Sequence, residues 1–374
     1  MGIYKQFQAS MNDFAPSHLL YADDILLFGQ ALRKTISSIK ALFQHYEEVA
    51  GQAISWDKSF IVFGNGVMTG KHNKITRDLG VKKGSLPFQY LGVPLFWGKV
   101  KRKYLEGIYS DIFNQLASWK GKKMSMAGRV CLVNSVITFK FVYSFSIYRW
   151  PQGLIKELQS LVRNFIWMRS IHERKIVTVA WKECVKPVEF GGLGVKDLRT
   201  FNDGLIEKFT WGLISKDNSG DFLANRIKGR LINGYKYYLT SSVWASIKCS
   251  FMHITNDTKW LVCRDSNLNI WSTTWLERPL QDNMDIFSGA GHFYIVEFLS
   301  HKHLFDKMIP SPVVLEIQSY HFMDCDTLVW KHNRNGQFNS RDYYQMTCGG
   351  SFRSPTWLMK YRSLFIRLSR FSLI

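Results

Sequence analysis

The chain has 374 residues, enough for two or three domains, and 46% of them are hydrophobic, which suffices for real cores. Its 49 Lys and Arg outnumber 29 Asp and Glu, so the net charge is +20 and a polyanionic partner is favoured, most simply a nucleic acid. An anionic membrane surface is the weaker alternative. The six cysteines include no CxxC pair, which argues against a structural zinc site, and residues 1–13 lack the apolar core of a signal peptide.

The first predicted element is a β-hairpin whose tip carries two adjacent carboxylates, Asp23 and Asp24. Apolar runs of strand length lead in at residues 18–21 and out at residues 25–28. Ionised carboxylates beside such apolar surface are costly unless a positive partner compensates them, and a divalent metal is the usual partner. A plain turn with two solvated aspartates is the alternative, because Asp favours turns.

The elements that follow the hairpin predict an α+β arrangement. Residues 59–63 form a predicted strand and residues 90–95 a short turn-and-strand element. Between the hairpin and the strand, apolar residues three and four positions apart predict an amphipathic helix that ends at Gly51: Ile36, Ile39, Phe43 and Tyr46.

From residue 99 onward the pattern becomes helical. Ser125 is the predicted cap of a second helix, with Val130, Val133 and Val136 facing inward, and a third helix follows Pro151. Residues 130–148 are the most membrane-like stretch, but polar residues interrupt them, so we interpret them as a buried helix and its exit. Beyond residue 209 the chain is Trp-rich and less periodic. The first of these helices shows one apolar face: Leu105, Tyr109, Phe113 and Leu116.

The order and spacing of short motifs resemble the reverse transcriptase of plant-type LINE (non-LTR) retrotransposons, from Ser17 to Met346. The most specific motif is HLLYADDILLF at residues 18–28. The others are GQ at 51–52, DKS at 57–59, YLGVP at 90–94, WKGK at 119–122, SMAGR at 125–129, GGLG at 191–194, DLR at 197–199, NIW at 269–271, WL at 275–276, Trp330 and GQF at 336–338.

The resemblance implies template-directed attack of a primer 3′-hydroxyl on a deoxynucleoside triphosphate, with two Mg²⁺ ions. Asp23 would bind metal directly and Asp24 would support it. Lys58 matches the lysine that aids departure of pyrophosphate, although a solvated loop lysine is the alternative. Three residues match the family's primer-grip hairpin, for which an ordinary tight turn is the alternative: Tyr90, Leu91 and Gly92.

The resemblance also implies a thumb whose basic residues follow the phosphates of an RNA template and a DNA primer. An ordinary solvated helix face is the alternative. No membrane partner is expected, and the family's work on chromosomal DNA implies a nuclear location. The basic residues are Lys99, Lys101, Arg102 and Lys103, then Lys120, Lys122, Lys123 and Arg129.

The expected fold class is α+β: a partial polymerase palm, then a mainly helical thumb and an irregular mixed C-terminal region. The implied boundaries are residues 1–97 for the C-terminal part of the palm and 98–216 for the thumb-like and connecting domain. Residues 217–348 resemble the region before the family's zinc-binding domain, and residues 349–374 form a divergent tail. We expect a linker at residues 217–220.

Two departures from the family pattern bear on activity. The fingers and the first catalytic aspartate of the palm should precede Ser17 by many tens of residues, and a Cys/His cluster should follow Trp330. We therefore expect an incomplete Mg²⁺ site and a truncated copy that is inactive alone, unless a partner supplies the other palm half in trans. A non-catalytic nucleic-acid-binding remnant and a retroelement product without function are the two competing hypotheses.

Overall fold

The computed structural model describes residues 17–119, 124–168, 179–215, 241–271, 294–300 and 311–348, together with residues 227, 273–276 and 279–280. The chain divides into two compact units, Met1–Lys99 with Lys216–Ser242 and Val100–Ser215 with Val243–Ile374. Helices and small two-stranded sheets alternate along it, which confirms the predicted α+β class. The four-part division implied by the resemblance stays a prediction, and the expected linker lies outside the described residues.

In its described part, the first unit is built from short strands and two helices. The outer hairpins, β1 with β2 and β5 with β6, are antiparallel, whereas β3 and β4 are parallel and are joined through α2. The elements in chain order are β1 His18–Tyr21, β2 Asp24–Leu27, α1 Arg33–Ala50, β3 Phe60–Ile61, α2 Thr69–Leu79, β4 Lys82–Lys83, β5 Phe88–Tyr90 and β6 Val93–Leu95.

The core of this unit lies between its two helices. Ile36 of α1 packs with Ile75 and Leu79 of α2, and all three are buried. Helix α1 ends where the sequence predicts, because Gly51 takes φ 65° and its N–H donates to the carbonyl oxygen of Glu47 at 3.0 Å. The sequence did not predict α2, whose residues 69–79 are mostly polar.

The second unit is mainly helical, with one antiparallel strand pair that places Thr258 opposite Trp330. A π-helical turn, Val133–Ile137, joins α4 to α5, and a 3₁₀ turn, Val188–Phe190, follows α7. The elements are α3 Arg102–Ser118, α4 Met126–Leu132, α5 Thr138–Ile147, α6 Gln152–Met168, α7 Trp181–Cys184, α8 Leu198–Ser215, α9 Trp244–Asn256, β7 Thr258–Leu261, α10 Ile295–Ser300, α11 Ser311–Gln318, β8 Thr327–Trp330 and α12 Ser340–Cys348.

Helix α4 starts as predicted, because the Ser125 hydroxyl accepts a hydrogen bond from the N–H of Gly128 at 3.1 Å. Of the three valines expected to face inward, only Val133 is buried, and Val130 and Val136 are half-buried. The π-helical turn explains the difference, because its wider turn shifts the buried face of the helix by a fraction of a turn.

The continuous helical run Met126–Ile147 is, within the described residues, long and apolar enough to cross a membrane. Its inner side chains pack inside the protein: Ile137, Phe141 and Phe145 are all 0% exposed. The Phe145 ring also meets the buried Trp150 ring edge-on, with centroids 5.2 Å apart. These contacts are those of a core helix.

The start of α8 is fixed by hydrogen bonds from distant parts of the chain. The Asp197 carboxylate accepts from the N–H of Thr200 at 2.9 Å and so caps the helix. The Tyr344 hydroxyl of α12 accepts from the N–H of Asp197 at 2.7 Å and donates to the carbonyl oxygen of Val185 at 2.9 Å. One buried hydroxyl therefore joins α12 to the segments before and after residue 190.

The glycine-rich segment at residues 191–194 is a structural turn, as its lack of a following Lys-Ser/Thr predicts. Gly191 and Gly194 take φ 80° and 68°. A Cβ at Gly192 would lie 2.0 Å from the carbonyl oxygen of Lys186, so only glycine fits there.

Candidate catalytic and nucleic-acid site

The two candidate catalytic aspartates lie at the tip of the β1–β2 hairpin. Tyr21 and Asp24 are directly opposite each other, so Ala22 and Asp23 form a two-residue turn. Both aspartates are exposed. In the part of the chain that the structure describes, neither carboxylate has an ion pair or a hydrogen bond. Both carboxylates are therefore available to a cation.

The turn that carries the aspartates holds a backbone conformation unusual for its sequence. Ala22 takes φ 50°, in the left-handed region. This region costs a residue with a Cβ about 1–2 kcal/mol. Such strained residues occur more often at functional sites than elsewhere. The hairpin thus retains a strained residue beside its two carboxylates.

Carboxylate oxygens are the ligands that Mg²⁺ prefers, and Asp23 and Asp24 supply them from adjacent positions. Among the described residues, no group of three or more His, Cys, Asp and Glu side chains is arranged to hold a metal ion. A two-metal site at this hairpin therefore needs at least one further carboxylate from outside those residues. The pair fits part of a Mg²⁺ site.

Lys58 lies in an exposed turn between α1 and β3. Its N–H donates to the carbonyl oxygen of Ser55 at 3.2 Å, and the Ser59 hydroxyl donates to the same oxygen at 2.8 Å. Within the described residues its ammonium group forms no ion pair with either aspartate. The structure therefore leaves the Lys58 side chain free but does not bring it into contact with the carboxylates.

The predicted primer-grip residues form a second tight hairpin. Tyr90 and Val93 are opposite each other in β5 and β6, so Leu91 and Gly92 form the turn. Leu91 takes φ 50° and Gly92 φ 77°, and positive φ at both central residues is typical of a type I′ turn. A Cβ at Gly92 would meet no atom within 4 Å, so the backbone there is open to a ligand.

The predicted phosphate-contacting residues fall into four groups, of which the buried Arg129 is the last. Lys99, Lys101 and Lys103 are exposed. Arg102 is also exposed, but it forms ion pairs with Glu157 at 2.6 Å and Glu106 at 3.2 Å, which raise the pKa of its guanidinium group. It keeps its charge but already has two carboxylate partners. The second basic cluster lies outside the described residues: Lys120, Lys122 and Lys123.

The structure corrects the predicted role of Arg129. Its side chain is buried, at 4% exposure, and cannot reach a phosphate backbone. The guanidinium group donates to the carbonyl oxygens of Ile166 and Met124, both at 2.8 Å. Arg129 therefore ties the start of α4 to the end of α6, and its role is structural.

A buried carboxyl group on α8 was not predicted. The Glu207 side chain is 3% exposed, its Oε1 has no hydrogen-bond partner among the described residues, and Nδ1 of His253 lies 3.6 Å from that oxygen. Burial, and then the nearby charge of Asp203, raise the pKa of Glu207 to about 8. Glu207 lies on the same helical face as Trp211 and Ile214, four and seven positions further on, and a carboxyl residue on that apolar face was the sequence signal that could have revealed this group.

No protein-family model matches the chain. It is 24% identical over 276 residues to a putative ribonuclease H protein of Arabidopsis thaliana, a match that covers 68% of this chain and 44% of that protein. It is 35% identical over 79 residues to an uncharacterized mitochondrial protein of the same plant, covering 21% of the chain and 51% of the relative. A transposon TX1 uncharacterized 149 kDa protein of Xenopus laevis is 25% identical over 152 residues, covering 40% and 11% respectively.

These similarities support a retroelement origin for the chain. The chain spans less than half of the Arabidopsis ribonuclease H relative, because the match covers 44% of that protein. The candidate site therefore lies in a chain of retroelement origin, and its polymerase chemistry is a proposal.

Proposed function

We propose that the chain is part of the reverse transcriptase of a LINE-type retroelement and carries the palm hairpin and the thumb. The observation that supports this most directly is the pair of exposed carboxylates on the two-residue turn of β1–β2, which have no partner among the residues that the structure describes. The glycine turn at Gly92 follows it at the spacing of the family's motifs. Similarity to a transposon protein agrees with this assignment.

Each site residue then has a distinct role. Asp23 binds the metal directly and Asp24 supports it from the adjacent position. When bound, Mg²⁺ would stabilise charge on the attacking and leaving oxygens of nucleotidyl transfer. Lys58, which is exposed and free of carboxylate partners within the described residues, donates charge or a proton to the departing pyrophosphate.

The template–primer duplex would be bound by an exposed backbone turn and by exposed lysine side chains. The β5–β6 turn offers an exposed Gly92 backbone to the primer strand. The exposed ammonium groups of Lys99, Lys101 and Lys103 contact phosphates, a mode that fixes position without reading sequence. Arg102 contributes less, because two carboxylates already pair with it.

The first test is primer extension on an RNA template with Mg²⁺, using the 374-residue chain. We expect no extension, because the described residues provide only two of the carboxylates that a two-metal site needs. Extension that Asp23→Ala abolishes would contradict this expectation of inactivity, since residues outside the described set would then complete the site.

A second candidate function is nucleic-acid binding without catalysis, favoured by exposed lysines in a chain whose described residues hold an incomplete set of metal ligands. Fluorescence anisotropy, which measures the affinity for an RNA–DNA hybrid, distinguishes the polymerase assignment from binding without catalysis. If Mg²⁺ strengthens the affinity of the wild-type chain for the hybrid but not that of Asp23→Asn or Asp24→Asn, the polymerase assignment is supported. Affinity that falls steeply with salt and ignores both substitutions supports the second function. Glu48→Gln, at an exposed carboxylate of the same unit outside the motifs, is the matched control.

A further inference from the structure

Trp97 is an exception among the tryptophans that the structure describes. Its side chain is 69% exposed. By contrast, six others are between 0% and 7% exposed: Trp150, Trp211, Trp244, Trp271, Trp275 and Trp330. Among the described residues the Trp97 indole has no hydrogen bond and no ring contact. The indole, the largest of the standard side chains, is therefore exposed to solvent, although burial of its apolar surface would normally be favoured.

The backbone that carries this indole is anchored on the side of β6. Val93 and Pro94 within the strand are buried, and Phe96, directly before Trp97, is 7% exposed. Gly98, directly after it, takes φ 86°, a conformation that turns the chain sharply. A fixed backbone and a side chain with only two rotatable bonds give a preorganised aromatic surface.

Positive charge accompanies the exposed ring. Lys99 follows two residues later, and Lys82 and Lys83 of β4 are exposed. The two small sheets contact each other, because the rings of Phe60 in β3 and Phe88 in β5 lie 5.1 Å apart. Phe60 is the register partner of Lys82, and Phe88 is the partner of Leu95 at the end of β6. Lys82 and Lys83 thus belong to one of the two contacting sheets, and Trp97 and Lys99 follow the last strand of the other.

We propose that Trp97 is a base-stacking residue that binds a single-stranded stretch of nucleic acid, with Lys99 contacting the neighbouring phosphate. This inference rests on the proposed function and adds a contact that the motif resemblance does not assign. An exposed indole with adjacent ammonium groups matches the two needs of a single strand, because unpaired bases have free faces and the backbone is anionic. A chain with a net charge of +20 attracts such a ligand.

The test is the affinity of the full chain for a short fluorescein-labelled oligo(dT), measured across a series of salt concentrations. Trp97→Ala should weaken binding roughly five- to 150-fold, the range for loss of one stacked base, without changing the salt slope. Trp97→Phe keeps a ring and should retain most of the affinity. Lys99→Ala should instead lower the slope by about 0.7, because one phosphate contact is lost.

Met68→Ala is the matched control, because Met68 is 75% exposed in the same unit and has no aromatic ring. Loss of affinity in Met68→Ala equal to that in Trp97→Ala would overturn the proposal. Trp97→Ala binding as tightly as the wild type, while salt still weakens both, would overturn stacking and leave the proposed function standing. A wild-type chain that binds no oligonucleotide or hybrid, or binds only anionic vesicles, would overturn both.

Discussion

The carboxyl group of Glu207 is ionisable and almost completely buried. It lies on α8, near Asp203 of the same helix, His253 of α9 and Tyr343 of α12. Asp203 itself is paired with Arg149 at 2.9 Å, and Asp257 adds a weaker repulsion. A neutral carboxylic acid is tolerated in this position, whereas an isolated carboxylate is costly. The protonation of one side chain therefore affects the packing of three helices.

The first prediction is that stability falls as pH rises through neutrality. The pKa of Glu207 is raised from its ordinary 4.5 to about 8 in the folded protein, so the folded state binds the proton more tightly. The stability supplied by this tighter proton binding is fully present below about pH 4.5 and is lost by about pH 8. Between these values the free energy of unfolding falls by at most about 1.4 kcal/mol per pH unit. Glu207→Gln should flatten this dependence. Urea unfolding at several pH values measures it.

Glu189→Gln is the control for this experiment, because the Glu189 side chain is 60% exposed and pairs only loosely with Arg341 at 3.6 Å. This variant should keep the wild-type dependence on pH. A wild-type slope that persists unchanged in Glu207→Gln would show that other groups set the pH response.

Sequence reasoning at the residue scale succeeded where a residue sits in a local motif and failed where tertiary packing decides. Asp23 and Asp24 were correctly placed at a hairpin tip, because apolar runs of strand length flank them. Arg129 was expected to contact phosphates, yet a distant carbonyl at Ile166 holds it in the core. No local pattern distinguishes a buried Arg from an exposed one, since the acceptors come from another helix.

At the scale of elements, two glycines provide a matched pair. Gly192→Ala should destabilise the second unit by about 2–4 kcal/mol, because its Cβ would meet the Lys186 carbonyl oxygen at 2.0 Å and force the turn to move. Gly212→Ala should stabilise it by about 0.4–1 kcal/mol, because a Cβ there meets nothing within 4 Å in the interior of α8. Chemical denaturation of both variants measures the difference.

Opposite signs for the two substitutions are the expected result. Equal destabilisation by both substitutions would contradict the argument that the space around the Cβ position decides the effect. The sign of the Gly212→Ala effect alone also tests whether α8 is continuous at that point.

Elements with local signals were predictable and those formed by long-range pairing were not. Helix α1 was predicted with its stop at Gly51, and the turn at Leu91 and Gly92 was predicted as a turn between strands. Helix α2 was missed because residues 69–79 contain few apolar side chains. Strands β7 and β8 pair Thr258 with Trp330 across 72 positions, a partnership that no local spacing encodes.

At the scale of the whole molecule, the β1–β2 hairpin is an exposed apolar surface in the described part of the first unit. Leu20 is 63% and Ile25 43% exposed, and they are opposite each other in the register. The core residues Ile36, Ile75 and Leu79 belong to the two helices, so the hairpin takes no part in that core. A short apolar two-stranded sheet of this kind is prone to pair with other strands.

The third prediction concerns self-association. Leu20→Lys should raise the protein concentration at which light scattering begins by roughly severalfold, because a charge on an exposed strand blocks edge-to-edge pairing. The effect should be larger at high salt, where the net charge of +20 no longer keeps molecules apart. Gln44→Lys, which adds the same charge on an exposed position of α1, is the control. Equal onsets for the two variants would contradict a role for the hairpin.

The position of Tyr344 near the far end of the second unit has a consequence for biosynthesis. Its hydroxyl satisfies the N–H of Asp197 and the carbonyl oxygen of Val185, groups that leave the ribosome about 150 residues earlier. Until α12 emerges, those backbone groups and the adjoining face of α8 remain uncovered. The nascent chain therefore exposes these groups while about 150 of its 374 residues are made, and chaperones that bind unfinished polypeptides have that interval in which to act on it.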